Sequence, residues 1–305
     1  MKRTVVITGA GGFVGKHICK YLASLGQDLR VVAADLQTAE NLECDKFVKT
    51  DMTVASEVDI LVNENKPDFV IHLAGLFGTD NINRILNANV MSLNNLAMAL
   101  KDKETVVVTA GSAAEYGIPP ANMLPVKEEC PCRPVTFYGI SKKMATDLAR
   151  YYHRTSSLSV TIVRPFQMLG NAASDRLAPG AFVRRIKQAM ADGTDTIKVG
   201  NLESVRDFLD VRDAVRALWM LCEKPAPAQI FNICSGEPVQ ISELLNKMMD
   251  VAGRKFNIEK DPQKLKGKKD VSKMYGDYSK INNHCGWKPQ IPLNRSIYEM
   301  FQDKS

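Results

Sequence analysis

Tyr138 and Lys142, a phenol and an ammonium four residues apart in Tyr138-Gly-Ile-Ser-Lys142, form a pair able to move a proton near neutral pH. On a helix both side chains project from one face toward a common ligand. A free tyrosine titrates at about 10, so the lysine cation is expected to stabilise the phenolate and bring that value closer to the working range. Ser112, in Gly111-Ser-Ala-Ala-Glu-Tyr-Gly117, adds a hydroxyl. It follows an apolar run at 105–109 and so belongs at the carboxyl edge of a sheet, where it can bond an oxygen changing between carbonyl and alcohol. Alone, each feature is ordinary: tyrosine and lysine often fall four apart, and a serine after a strand is commonly a turn cap.

What gives them weight is a second motif, Thr8-Gly-Ala-Gly-Gly-Phe-Val-Gly15. Gly9, Gly12 and Gly15 follow an apolar run and precede a helical pattern that opens with Phe13 and Val14. Turns of this kind let a pyrophosphate approach the backbone at a helix N-terminus. A further apolar run ends in Asp35, about twenty residues past the last glycine, where a carboxylate can accept from an adenosine ribose. That carboxylate repels a 2′-phosphate, so NAD(H) is expected over NADP(H).

The elements that must position these groups alternate. Strands are expected at 4–8, 29–34, 46–49, 69–73, 105–109 and 159–163, with helices at 13–25, 55–64, 82–101 and about 141–155. This order predicts an α/β fold: a Rossmann-type doubly wound parallel sheet with helices on both faces and ligands at the carboxyl ends of its strands. After Arg164-Pro165 the pattern changes to helices near 180–191, 211–223 and 240–252 with short strands near 196–199 and 229–233. We expect residues 1–165 to form the cofactor-binding domain with the triad. Residues 166–305 would form a smaller, mainly substrate-binding lobe, with a segment at about 205–235 returning to the sheet.

The chain has 305 residues and a formal charge of +6, much of it from Lys264, Lys266, Lys268, Lys269 and Lys273. This local cluster lacks interleaved aromatics, which argues against nucleic acid and leaves a small anion open. No stretch approaches the roughly 20 apolar residues that span a bilayer, and no leader pattern opens the sequence, so a cytoplasmic protein is expected. Cys19, Cys44, Cys130, Cys132, Cys222, Cys234 and Cys285 are scattered and read as reduced thiols. No metal is expected.

Together with HLAG at 72–75, NV at 89–90, RPF at 164–166, VRDFLDVRD at 205–213, NICSG at 232–236 and GWKPQIPL at 286–293, these motifs resemble the extended short-chain dehydrogenase/reductase family from end to end. Within it the second half is most similar to members that reduce GDP-4-keto-6-deoxy-D-mannose. The resemblance implies that Gly9, Gly12, Phe13, Val14 and Gly15 hold the pyrophosphate, Asp35 the ribose, and Asp51 with Met52 the adenine. Leu73, Ala74, Gly75 and Asn89 would line the cofactor path, Lys142 would hold the nicotinamide ribose, and Pro165 and Phe166 would lie beside the nicotinamide. Substrate contacts would come from Ser112, Glu115, Tyr138, Gln167, Arg206 and Lys266 or Lys268, with an ion pair to Asp207 or Asp210 as the alternative for Arg206.

Departures narrow the chemistry. Dehydratases of the family carry an acid two places after the catalytic hydroxyl, where this chain has Ala114, and Ala113 with Ala114 leaves no cysteine of the C3/C5 epimerising kind. The expected activity is hydride transfer to C4 of a GDP-linked 4-keto-6-deoxyhexose. An NAD-retaining 4-epimerase and a non-catalytic NAD(H)-binding protein are the rivals. An amphipathic pair at 85–100 and 141–155 would make a homodimer contact.

Overall fold

Seven parallel strands form the central sheet, in the order β10-β6-β5-β4-β1-β2-β3. The structure is a computed structural model that describes residues 2–26, 28–39, 41–171, 173, 177–261 and 271–302. The strands are β1 (Arg3–Thr8), β2 (Leu29–Asp35), β3 (Lys46–Lys49), β4 (Phe69–His72), β5 (Val106–Ala110), β6 (Ser159–Pro165) and, after a long excursion, β10 (Ile230–Ile233). β1 is buried along nearly its whole length around the apolar run Val5-Val6-Ile7, as a strand covered on both faces must be. Helices α1 (Phe13–Ser24), α2 (Ala55–Asn65), α3 (Ile82–Leu86), α4 (Ser92–Ala99) and α5 (Phe137–Ser156) complete the first half. Two apolar layers, one on each face, enclose the sheet. The Rossmann-like fold and most of its strands are those expected from the sequence.

Two differences bear on the site. The expected helix at 82–101 is interrupted by a π-helical turn, Asn87–Met91, between α3 and α4. Such turns rotate side chains out of the α-helical register, and this one turns Asn89 inward. Helix α5 begins at Phe137 rather than near 141, because Thr136 caps it by accepting from the Gly139 amide at 3.1 Å. Tyr138 therefore sits in the first turn.

The remaining elements are β7 (Gln167–Leu169), α6 (Ala178–Asp192), β8 (Thr196–Val199), β9 (Val205–Asp210), α7 (Val211–Glu223), β11 (Pro238–Gln240), α8 (Ile241–Val251), β12 (Asn257–Lys260), β13 (Lys273–Met274), α9 (Ser279–Cys285) and α10 (Leu293–Gln302). β9 is the hub of a four-stranded sheet with β7, β11 and β13, and β8 pairs with β12. β7, β8, β9 and β11 share an apolar core with α6, α8 and α10. α7 packs instead on the large sheet against α1, with Trp219 fully enclosed. Among the described residues no helix is long and apolar enough to cross a membrane.

Candidate active site

The glycine turn after β1 is shaped by what its residues lack. Gly9 has φ +70°, and a Cβ there would stand 2.8 Å from the backbone of Leu73 and Ala74. At Gly15 a Cβ would meet the Gly9 carbonyl at 2.3 Å, so only glycine lets α1 close onto the turn. Gly12 caps α1 without any side-chain bond, and no acidic residue lies in the first turn. Phe13 and Val14 open the helix, half-buried against the core. An exposed α1 N-terminus beside bare glycine backbone fits a dinucleotide pyrophosphate. Asp35, at the carboxyl end of β2, accepts from the Gly11 amide at 2.8 Å, which ties it to the same turn. Asp51 accepts from the Thr53 amide and hydroxyl at the next strand edge, with Met52 buried beside it.

Leu73, Ala74 and Gly75 pass directly over this turn. The Leu73 amide donates to the Thr8 carbonyl and the Ala74 amide to the Thr8 hydroxyl. That hydroxyl also bonds His72 Nδ1 at 2.8 Å. Burial, reinforced by the Lys142 charge, brings His72 down to about 3 and keeps it neutral. A Cβ on Gly75 would stand 2.8 Å from Asn89 Oδ1 and 3.3 Å from Lys142 Nζ. Gly75 thus lies against both Asn89 and the lysine. Asn89 binds the Leu76 amide and carbonyl and donates to Ser141 Oγ at 2.9 Å; Ser141 donates to the Tyr138 carbonyl at 2.8 Å.

The three chemical residues come together. Ser112, two residues beyond β5, caps the short turn Ala113–Glu115 by accepting from the Ala114 amide at 3.1 Å, and its side chain acts on the Tyr138 phenol. Lys142 Nζ is buried and donates to the Ala110 carbonyl at 2.8 Å. Phe77 packs edge-on to Tyr138, ring centroids 6.3 Å apart. One expectation is corrected here. Burial pushes the Tyr138 phenol above its ordinary value, helped by the Glu115 charge, while the Ser112 side chain only partly opposes this. The lysine is the group that moves down, to about 8, because its ammonium is enclosed. A phenol held protonated is poised to donate.

Of the other expected contacts, Glu115 and Phe166 are both enclosed by packing. Glu115 is fully enclosed, its carboxylate engaged by Arg164, the Ser112 amide and Thr146, so it is a structural partner of the serine rather than a substrate contact. The pattern Ser112-x-x-Glu115 is a capping box, the signal that foretells this. Phe166 follows half-buried Pro165 but is itself buried with Tyr116, Cys234 and Met274, under Gly276, whose Cβ would stand 2.6 Å from its ring. Its ring is thus fixed by packing in this cluster. Lys266 and Lys268 lie outside the described residues.

On the far side, Gln167 opens β7 with its Oε1 buried and without a hydrogen-bond partner. Such an orphaned acceptor is costly unless a ligand supplies a donor. Arg206 lies on β9, half-buried, its Nη1 donating to the Val205 carbonyl. Both carboxylates of the alternative ion pairs make other contacts. Asp207 accepts from Ser235, Gly236 and Gly276, and Asp210 is held by Arg212 and Ser296.

Residues 5–234 match the NAD dependent epimerase/dehydratase family. The chain belongs to that family. It is similar to the GDP-6-deoxy-D-mannose reductase of Pseudomonas aeruginosa, at 28% identity across 99% of this chain and 97% of that one. It is also similar to UDP-arabinose 4-epimerase 1 of Arabidopsis thaliana, at 27% over 93% of this chain and 74% of that one. Among solved structures, RMD from Pseudomonas aeruginosa complexed with NADPH superposes with a TM-score of 0.87 at 26% identity, covering 99% and 98% of the two chains.

Proposed function

We propose that this enzyme reduces the C4 ketone of a GDP-linked 4-keto-6-deoxyhexose. The observation that carries the proposal is the Ser112–Tyr138–Lys142 cluster, with its phenol held protonated and its lysine anchored at Ala110. The full-length similarity to a GDP-sugar reductase supports the choice of substrate.

A nicotinamide dinucleotide fits the glycine turn, Asp35 and the Gly75 edge, and when bound in reduced form it supplies a hydride. The chain does the rest. Ser112 Oγ donates to the ketone oxygen and fixes its orientation. Tyr138 transfers its hydroxyl proton to that oxygen as the carbon is reduced, so ketone, hydride and proton balance to a secondary alcohol. The Lys142 ammonium offsets the charge left on the phenolate. Arg206 and Gln167 lie on the substrate side, where a guanidinium suits a diphosphate and the orphaned Oε1 suits a hydroxyl donor.

Asp35 supports NAD(H) over NADP(H) in this chain, although the Pseudomonas structure holds NADPH. The same preference favours a second reading, a 4-epimerase that retains NAD, in line with the similarity to the Arabidopsis enzyme. Mixing the protein with GDP-4-keto-6-deoxymannose and NADH, following the absorbance of the reduced cofactor, and repeating with NADPH separates the two. Stoichiometric consumption of NADH is expected. Interconversion of a nucleotide sugar and its C4 epimer without consumption would replace the reductase by the epimerase.

Residues 1–165 are proposed to carry cofactor and triad, and 166–305 mainly to bind substrate. Met91 in the π-helical turn, Met98 on α4, and Ile140, Met144 and Tyr151 on α5 are exposed apolar side chains that support a homodimer, testable by light scattering. Seven free thiols accord with a cytoplasmic location.

A further inference from the structure

Glu115 stands outside the proton path, yet its single carboxylate touches three elements of the site. Oε1 accepts from the Ser112 amide at 2.9 Å and from the Thr146 hydroxyl at 3.0 Å. Oε2 accepts from Arg164 Nε and Nη2, both at 2.9 Å. Ser112 is the serine of the triad, Thr146 lies one turn past Lys142 on α5, and Arg164 immediately precedes Pro165 on β6. The fold makes room for this junction. A Cβ on Gly111 would lie 2.3 Å from Glu115 Oε1, and one on Gly139 would lie 2.5 Å from the Ala114 carbonyl. Arg164 is itself fixed, its guanidinium 4.7 Å from the Tyr116 ring, whose hydroxyl donates to Asn232 at 2.7 Å.

A buried ion pair is weak evidence for a stabilising role, because well-packed apolar groups of similar volume often do as well or better. The value of this one lies in where it holds other groups. We propose that Glu115 is a positioning residue for the triad, with its carboxylate, oriented by Arg164, setting the distance between the Ser112 hydroxyl and the Tyr138–Lys142 face of α5. The inference rests on the triad performing the proton transfer proposed above. Glutamine would keep the acceptor for Ser112 and Thr146 but aim an amide NH₂ at the guanidinium, so charge and direction are both required. The carboxylate also acts on the triad through space, raising Tyr138 and Lys142 alike. Its removal therefore moves both titrations to lower pH.

The test uses the full chain, Glu115→Gln, Glu115→Asp, and the double variant Glu115→Leu with Arg164→Met, which leaves no buried charge unpaired. NADH binding is read by fluorescence, turnover with GDP-4-keto-6-deoxymannose by kcat and KM, and the Tyr138 titration by ultraviolet absorbance against the same protein carrying Tyr138→Phe. The double variant is expected to fold, to bind NADH within about twofold of the parent and to keep its KM. Its kcat should fall on the order of 10²-fold, the cost of a misplacement near 1 Å. Glu115→Gln and the double variant should shift the Tyr138 titration downward, whereas Glu115→Asp should lose kcat without that shift. Normal kcat in the double variant, or loss of kcat matched by equal loss of NADH binding, overturns the proposal and leaves Glu115 as a brace of the fold. If the parent itself turns over no nucleotide sugar, the proposed reaction fails separately. The titration still decides the positioning role, and an unmoved Tyr138 overturns it.

Discussion

The proposed cofactor side and the proposed substrate side of the site are built on opposite plans. The cofactor side is mostly backbone: glycines at 9 and 15, the Leu73 and Ala74 amides on Thr8, and a helix N-terminus, drawn chiefly from the first two and the fourth strands of one sheet. The substrate side is mostly side chains on β9 and β7, held by residues from distant parts of the chain. Asp207 alone ties β9 to Ser235, Gly236 and Gly276. A backbone site tolerates few residue types at its turns but makes few demands on the partners around them. A side-chain site can be retuned one residue at a time.

The largest effect expected is at the junction of the two sides. Tyr138→Phe should lower kcat on the order of 10²- to 10⁴-fold while NADH titration remains near that of the parent. Near-normal turnover would remove Tyr138 from the mechanism. On the cofactor side, Gly15→Ala forces a methyl group against the Gly9 carbonyl. It should cost about 1–3 kcal/mol in chemical denaturation and weaken NADH as well, coupling stability to cofactor binding.

On the substrate side that coupling should be absent. Arg206→Ala is expected to weaken the GDP-sugar by roughly 2 kcal/mol, within the range for charge-assisted hydrogen bonds, with NADH affinity and melting temperature almost unmoved. Parallel loss of both ligands would erase the contrast between the two sides.

A last effect, on stability as well as activity, concerns Lys142, which would belong to both. Its ammonium is brought down from 10.5 to about 8 by burial, so at neutral pH the fold carries a penalty of at most about 3 kcal/mol. Lys142→Met also loses the bond to Ala110, worth about 1 kcal/mol, and should leave the protein roughly 2 kcal/mol more stable though inactive. The folded value lies below the unfolded one, so the penalty is complete below pH 8 and fades as pH rises toward 10.5. The stability advantage of the variant should fade over that window. Reduction by the parent should decline as pH rises through about 8, where the lysine charge is lost.

What was legible in the sequence follows the same division. Glycine spacing and apolar strands of four to seven residues are local signals, and they located β1, β2 and the turn between β1 and α1. β7, β11 and β13 have only two or three residues each, too few for an alternating pattern, and exist because β9 pairs with them. The direction of the Tyr138 shift was also out of reach. Spacing shows that a lysine is near, but the balance of enclosure and charge depends on Glu115 and on the lysine's turn toward Ala110. Glu115 was read as a substrate contact although its spacing from Ser112 carried a capping-box signal, and its union with Arg164, 49 residues away, left no local trace.

The path of the chain has an evolutionary consequence. After leaving the large sheet at β6 it builds part of the second lobe, then returns to lay α7 and β10 on that sheet, with β10 pairing directly to β6, before departing again. Neither half is one uninterrupted stretch. Recombination at a single crossover would strip the large sheet of an edge strand and a covering helix. In such a scaffold new sugar preferences have to arise by substitutions in place, around β7 and β9, rather than by trading a ready-made lobe between relatives.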